Sequence, residues 1–136
     1  MHPTPSQPGR QSRSLFRSGE IYAPRIWVFD DEYLYGPSFW HKRWEHDEPV
    51  ALPTIDHTLH GVYAFKDERL LYEWLRENQK APVIVGRVRL WGSVIEYERG
   101  WRAQFGRVDA LITKMIDGSP VEDDEHIRRL RKNYHV

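Results

Sequence analysis

The chain contains no cysteine. That excludes a disulfide frame, a thiolate metal site and a cysteine nucleophile, and it suits a reducing compartment, so a cytoplasmic location is expected. No apolar run approaches the length of a membrane-spanning helix, about 18 residues or more, and no membrane partner is expected. Neither sign of charge is in excess: Lys plus Arg and Asp plus Glu are 20 each. A whole-molecule field that would draw the protein onto DNA or an acidic bilayer is therefore missing, although local patches are not excluded. Also absent are a Gly-rich phosphate loop, a Ser or Cys nucleophile elbow, a His-Glu-x-x-His helix and any internal repeat.

What the 136 residues do have is large rings: 6 Trp, 7 Tyr and 5 Phe. A chain of this length is one domain that buries roughly two thirds of its unfolded surface, and bulky aromatics fill such a core first. Residues 1–19 fall outside it. Pro3, Pro5, Pro8, Gly9 and four serines precede or surround the first apolar pair, Leu15-Phe16. Such a segment is expected to be a disordered arm, with 20–116 as the domain and 117–136 as a C-terminal helical segment.

In chain order, Arg25 to Phe29 and Tyr33 to Tyr35 are short β-forming runs around a turn at Asp30-Asp31. Residues 36–60 form a long irregular stretch that holds Trp40, Arg43 and Trp44 together with His41, His46, His57 and His60. A loop this long in a small domain is usually functional or self-packed, which makes Trp40, Arg43 and Trp44 candidate ligand contacts. His57-x-x-His60 has a spacing that zinc tolerates, so these two are the weakly supported metal candidates; no cofactor is the main expectation.

Gly61 to Phe65 reads as a strand. Asp67 is placed to cap a helix over about 68–78, on which Leu70, Leu71, Trp74 and Leu75 make one apolar stripe, with Asn78 at its left-handed end. Val83 to Trp91 alternates, with Ile84, Val88 and Leu90 on one face and Arg87 and Arg89 on the other. Apolar parity then shifts to Ile95 and Tyr97, which predicts a bulge at Gly92-Ser93. A turn over Arg99-Gly100-Trp101 separates polar from apolar cleanly. It sets Ile95, Tyr97, Ala103 and Phe105 on the buried face and Glu96, Glu98 and Arg102 in a charged row on the other. Arg107 to Thr113 is a further strand and Asp117-Gly118 a turn. Ser119-Pro120-Val121-Glu122 has the pattern of a helix start, giving a C-terminal surface helix over about 120–134. The whole is an α+β domain: a curved, mostly antiparallel sheet of five or six strands with one packed helix and one surface helix.

The segments Gly61-Val62-Tyr63-Ala64 and Gly92-x-Val94-Ile95-Glu96-x-Glu98-x-Gly100-Trp101-Arg102-Ala103 resemble a group of small uncharacterised bacterial and phage-type domains. Where members of that group often place cysteines, just before the Gly-x-Tyr strand, this chain has Thr58 and His60. A more distant likeness is to the ADP-ribosyltransferase fold. That likeness implies an NAD cleft in which Arg25 anchors the cofactor, Tyr63 stacks on nicotinamide, and Glu98, assisted by Glu96, steadies an oxocarbenium-like charge.

Three functions are thus in view. One is a small soluble binding domain that recognises a protein or small-molecule partner through the loop 36–60 and the polar face of the hairpin 93–105, Arg102 included. The second is the NAD-dependent transferase. The third is a single-stranded nucleic-acid module with exposed Trp or Tyr as stacking platforms and Arg87, Arg89 and Arg102 on phosphates.

Overall fold

A computed structural model of the chain describes residues 12–16 (backbone only), 20–37, 42–52, 61–78, 81–121 and 124–136. The elements run β1 (Ser12–Phe16), β2 (Ile21–Phe29), β3 (Leu34–Tyr35), β4 (Arg43–Trp44), β5 (Val50–Ala51), β6 (Val62–Phe65), α1 (Glu68–Asn78), β7 (Val83–Tyr97), β8 (Gly100–Ile116), β9 (Ser119–Val121) and α2 (Glu125–Tyr134). Every pairing between strands is antiparallel. The spine is the long β7–β8 hairpin, with β2 beside β7 and the order β4-β3-β2-β7-β8-β5 across the sheet; β1 adds to β7, and β6 and β9 add to β8. This is the α+β architecture expected, with additional strands that are mostly two or three residues long. Within the span expected to be an arm, Ser12–Phe16 pairs with Ser93–Tyr97.

Alternation along the strands separates two apolar clusters. Trp27, Ile84, Val88 and Leu90 belong to one, which takes in Ile127, Leu130 and Tyr134 of α2. Ile26, Val83 and Val85 belong to the other, covered by Leu70, Leu71 and Leu75 of α1. Helix α1 starts where its cap predicts: the Asp67 carboxylate accepts from the Leu70 amide at 2.9 Å. Asn78 is the last helical residue rather than a left-handed one, and its side chain donates to the Trp74 carbonyl at 3.0 Å.

The bulge at Gly92-Ser93 is present as a register shift between Trp91 and Val94, with Gly92 at φ 88°. The hairpin turn is elsewhere than expected. Glu96 lies opposite Trp101 and Ile95 opposite Arg102, so Glu98-Arg99 is the turn. The expected register differs by an odd number of residues, which moves every side chain of the β8 arm to the other face. Ile95 and Tyr97 are buried as anticipated, but Arg102, not Ala103, shares their face, and the row of Glu96, Glu98 and Arg102 does not form. The reason lies in Gly100. It is not a turn glycine; a Cβ there would run into the Tyr63 hydroxyl and the Ala64 carbonyl of β6. Glycine here serves close approach rather than a positive φ.

The C-terminal helix is also shorter than expected. Asp117 (φ 50°) and Gly118 (φ 82°) form a two-residue turn of the kind that closes tight hairpins, so Ser119 to Val121 must return along β8 as β9. Pro120, lacking an amide proton, is tolerated on that short outer strand. The cap is Asp124, whose carboxylate accepts from the His126 amide at 2.7 Å and the Ile127 amide at 3.2 Å. At its far end His135 takes the left-handed position and the chain closes with Val136 N–H on the Arg131 carbonyl.

Helix α2 is firmly anchored. Among the described residues, no strand pairs with β8 between Arg107 and Thr113 on the side away from β7. There Arg131 donates from Nε to the Leu111 carbonyl at 2.8 Å and from Nη2 to the Ile112 carbonyl at 3.1 Å. At the other side of the helix, Tyr134 bonds to β3 and β4. The helix thus ties β8 to β3 and β4, which lie three and four strands away in the sheet order.

Candidate ligand-binding surface

Strands β2, β7 and β8 share a face that α1 does not reach at one end. Three cross-strand neighbours, Tyr22, Arg89 and Arg107, form one rung of it, because Tyr22 pairs with Arg89 and Arg89 with Arg107. The next rung is Trp91 opposite Phe105. Residues two apart on a strand point the same way, so Arg87, Arg89 and Trp91 rise from one face of β7 at intervals of about 7 Å. The Trp91 and Phe105 rings stack with centroids 5.6 Å apart and planes 22° from parallel. Both are half-buried, leaving ring area open to solvent. The Arg89 guanidinium lies 5.2 Å from the Trp91 ring, and Tyr22 is 51% exposed.

Two carboxylates hold the arginines in place. Arg89 meets Glu20 at 3.4 Å and Arg87 meets Asp109 at 2.5 Å. The Tyr22 hydroxyl donates to Glu20 at 2.9 Å, and this bond raises the phenol above its ordinary pKa. Arg107, exposed, donates to the Asp47 carbonyl at 3.3 Å. The cluster therefore carries three guanidinium groups against two carboxylates and holds a stacked ring pair among them. Arg87 and Arg89 were legible from their alternation. Tyr22, Trp91, Phe105 and Arg107 were not singled out, although Trp91 continues the same parity.

The other candidates fall into different settings. Arg25 is half-buried, with its guanidinium 4.7 Å from the Trp44 ring and 5.7 Å from Trp27, and Nη1 donates to the Tyr63 carbonyl at 2.5 Å. Burial pushes its pKa down to about 10. Arg25 and Tyr63 do meet, then, but through the tyrosine's backbone. The Tyr63 ring lies edge-on to Phe65, its hydroxyl donates to the Arg99 carbonyl at 3.3 Å, and burial raises its pKa far above the usual phenol value. Glu98 is exposed in the turn. Glu96 is half-buried and bonds to Lys66 at 2.6 Å, whose ammonium sits 4.4 Å from the Trp101 ring.

Of the expected loop contacts, Arg43 is exposed, paired with Glu45 at 3.0 Å and laid over the Tyr33 ring at 4.4 Å. Trp44 is 3% exposed and packs edge-on against Trp27 at 5.4 Å, which makes it core. Arg102 is 4% exposed, so neither Trp44 nor Arg102 offers a surface contact. Trp40, His57 and His60 lie outside the described residues. Among the described residues no three His, Asp or Glu side chains gather as metal ligands, and no helix is long and apolar enough to cross a membrane. No family model, no curated protein and no solved structure matches the chain.

Proposed function

We propose that the protein is a binding domain whose ligand lies across the outer face of β2, β7 and β8, on Tyr22, Arg87, Arg89, Trp91, Phe105 and Arg107. The observation that carries this is the partly exposed Trp91–Phe105 stack, with arginines in the adjoining rung. Regular strands fix these side chains at set spacings, so little ordering is needed when a ligand arrives. The face suits a ligand that combines flat rings with negative charge. Of the contacts expected on the loop 36–60 and the hairpin's polar row, Trp44 and Arg102 are interior, which favours this face.

A transferase cleft built from Arg25, Tyr63 and Glu98 has less support. Arg25 directs its donor at a backbone carbonyl, the Tyr63 ring occupies the space above Gly100, and Glu98 stands in an exposed turn. The two possibilities separate in an amide- and side-chain-resolved NMR titration of the full chain with NAD, with dT12 and with an acidic hexapeptide. The expected result is that at least one probe shifts Tyr22, Arg89, Trp91 and Phe105 and leaves Arg25, Tyr63 and Glu98 unmoved. NAD shifting the latter three instead would restore the transferase.

A further inference from the structure

Resting on that proposal, we infer that the ligand is single-stranded nucleic acid and that the face discriminates against duplex. Duplex binding without base readout is almost wholly electrostatic, growing with the number of phosphates neutralised. This face is poorly suited to it. Glu20 and Asp109 already occupy Arg89 and Arg87, and the chain as a whole has no net charge. A duplex also keeps its bases stacked on one another, so the platform of Trp91 and Phe105 would find no partner in it. A single strand offers unstacked bases, and base–aromatic stacking is sequence-tolerant and substantial for each base.

The geometry is laid out accordingly. The Trp91–Phe105 stack supplies one outer ring face and Tyr22 a second ring in the neighbouring rung, with Arg89 between Tyr22 and Arg107 along that rung. Arg87 continues the line on β7. A chain of alternating bases and phosphates can lay bases on the rings while its phosphates take up the outer donors of Arg87, Arg89 and Arg107. The two carboxylates pair with Arg87 and Arg89 and set a low background attraction, so that stacking, not charge, decides what stays bound.

The test is fluorescence anisotropy of labelled dT12 and U12, and of a 12-base-pair duplex, with the full chain over a range of salt. The single strands should bind at least tenfold more tightly than the duplex, with a shallow salt slope of about −0.7 for each of one to three phosphates neutralised. Trp91→Ala should weaken binding on the order of tenfold to a hundredfold, while Trp91→Phe, which keeps a ring, should retain most of it. Arg87→Gln with Arg107→Gln, both exposed sites that leave the core untouched, should weaken it severalfold and flatten the salt slope. Asp109→Asn should do the reverse: tighter binding at low salt, a steeper slope and less discrimination against duplex. Equal affinity for duplex and single strand, or an unchanged affinity in the folded double-arginine variant, would overturn the inference. If neither oligonucleotide binds while NAD or the acidic hexapeptide still shifts Trp91 and Phe105, the nucleic-acid assignment falls and the binding face stands. Oligonucleotide binding that leaves those two rings unperturbed would remove the face itself.

Discussion

The Tyr134 hydroxyl accepts a hydrogen bond from the amide of Leu34 at 2.8 Å, joining the last helical residue of the chain to a strand one hundred positions earlier. The same oxygen donates to the Trp44 carbonyl at 2.5 Å. Two buried backbone groups of the cross-strand pair Leu34–Trp44 thus depend on one phenol. Tyr134→Phe keeps the ring and strands both groups. An orphaned buried donor or acceptor costs about 1–3 kcal/mol, so the variant should lose about 2–6 kcal/mol. Urea unfolding should show a lower midpoint with an unchanged slope. A variant as stable as the parent would mean that α2 is held by its apolar stripe alone.

Gly100 and Tyr63 should be energetically coupled. A methyl at Gly100 would overlap the Tyr63 hydroxyl and the Ala64 carbonyl, and overpacking of this kind costs roughly 1–3 kcal/mol. Gly100→Ala should therefore destabilise the fold, and adding Tyr63→Phe should return part of the loss by removing the clashing oxygen. The interaction term from the four-member cycle should exceed about 0.5 kcal/mol. Strict additivity would show that β6 simply moves away.

These two contacts also mark where the sequence could be read and where it could not. Helix α1, the alternation of β7 and the bulge at Gly92 follow from local signals: a cap at Asp67, apolar period, a glycine between two parities. The hairpin register did not, because Gly100 carries two possible meanings, turn or close approach. Only the presence of Tyr63 on a strand 37 residues away decides between them. The start of α2 failed for a related reason. Ser119-Pro120 looks like a cap, but the Asp117-Gly118 turn commits the chain to return along β8 first. The binding face was half legible. Arg87 and Arg89 stood out, whereas Phe105 joins Trp91 only through the register of a bulged hairpin, and Tyr22 belongs to a strand that begins earlier than its apolar run.

Acid should weaken the protein through two capping aspartates. The Lys114 ammonium, at 2.9 Å, and the amides at the start of α2 hold the Asp124 carboxyl below the ordinary carboxylate range; the Tyr35 hydroxyl, at 2.6 Å, and two turn amides do the same for Asp30. A carboxylate with a depressed folded-state pKa contributes stability that is fully present above its unfolded value, near 4, and lost as pH falls through the folded value. Stability should be level from neutrality to about pH 4 and decline below it. Asp124→Asn keeps a capping oxygen but removes the charge, so its acid limb should be flatter. At pH 7 it should also cost about 1–3 kcal/mol, because Lys114, its side chain 14% exposed, loses its counter-ion. Urea midpoints between pH 2 and 7 for both proteins check this.

Alkali sets several tyrosines against one arginine. Tyr63 and Tyr134 are raised by burial, so above about pH 10 the unfolded chain releases protons that the folded chain retains, and stability falls with rising pH. Arg25 works in the opposite direction. Burial lowers its folded pKa to about 10, below the ordinary guanidinium value, so above about pH 10 the folded chain binds this proton less than the unfolded chain does, and the contribution to stability rises with pH. Each fully displaced group changes stability by about 1.4 kcal/mol per pH unit. Tyr22, Tyr35 and Tyr72 are raised as well, so the tyrosines together outweigh Arg25 and leave a net decline from about pH 10 upward. Arg25→Met removes the opposing term and should steepen that decline, whereas Tyr134→Phe should make it shallower. Urea midpoints from pH 9 to 11.5 measure all three slopes. If Arg25→Met left the limb unchanged, its guanidinium would be solvated rather than enclosed between Trp27, Trp44 and the Tyr63 carbonyl, and the join it makes between β2 and β6 would be incidental.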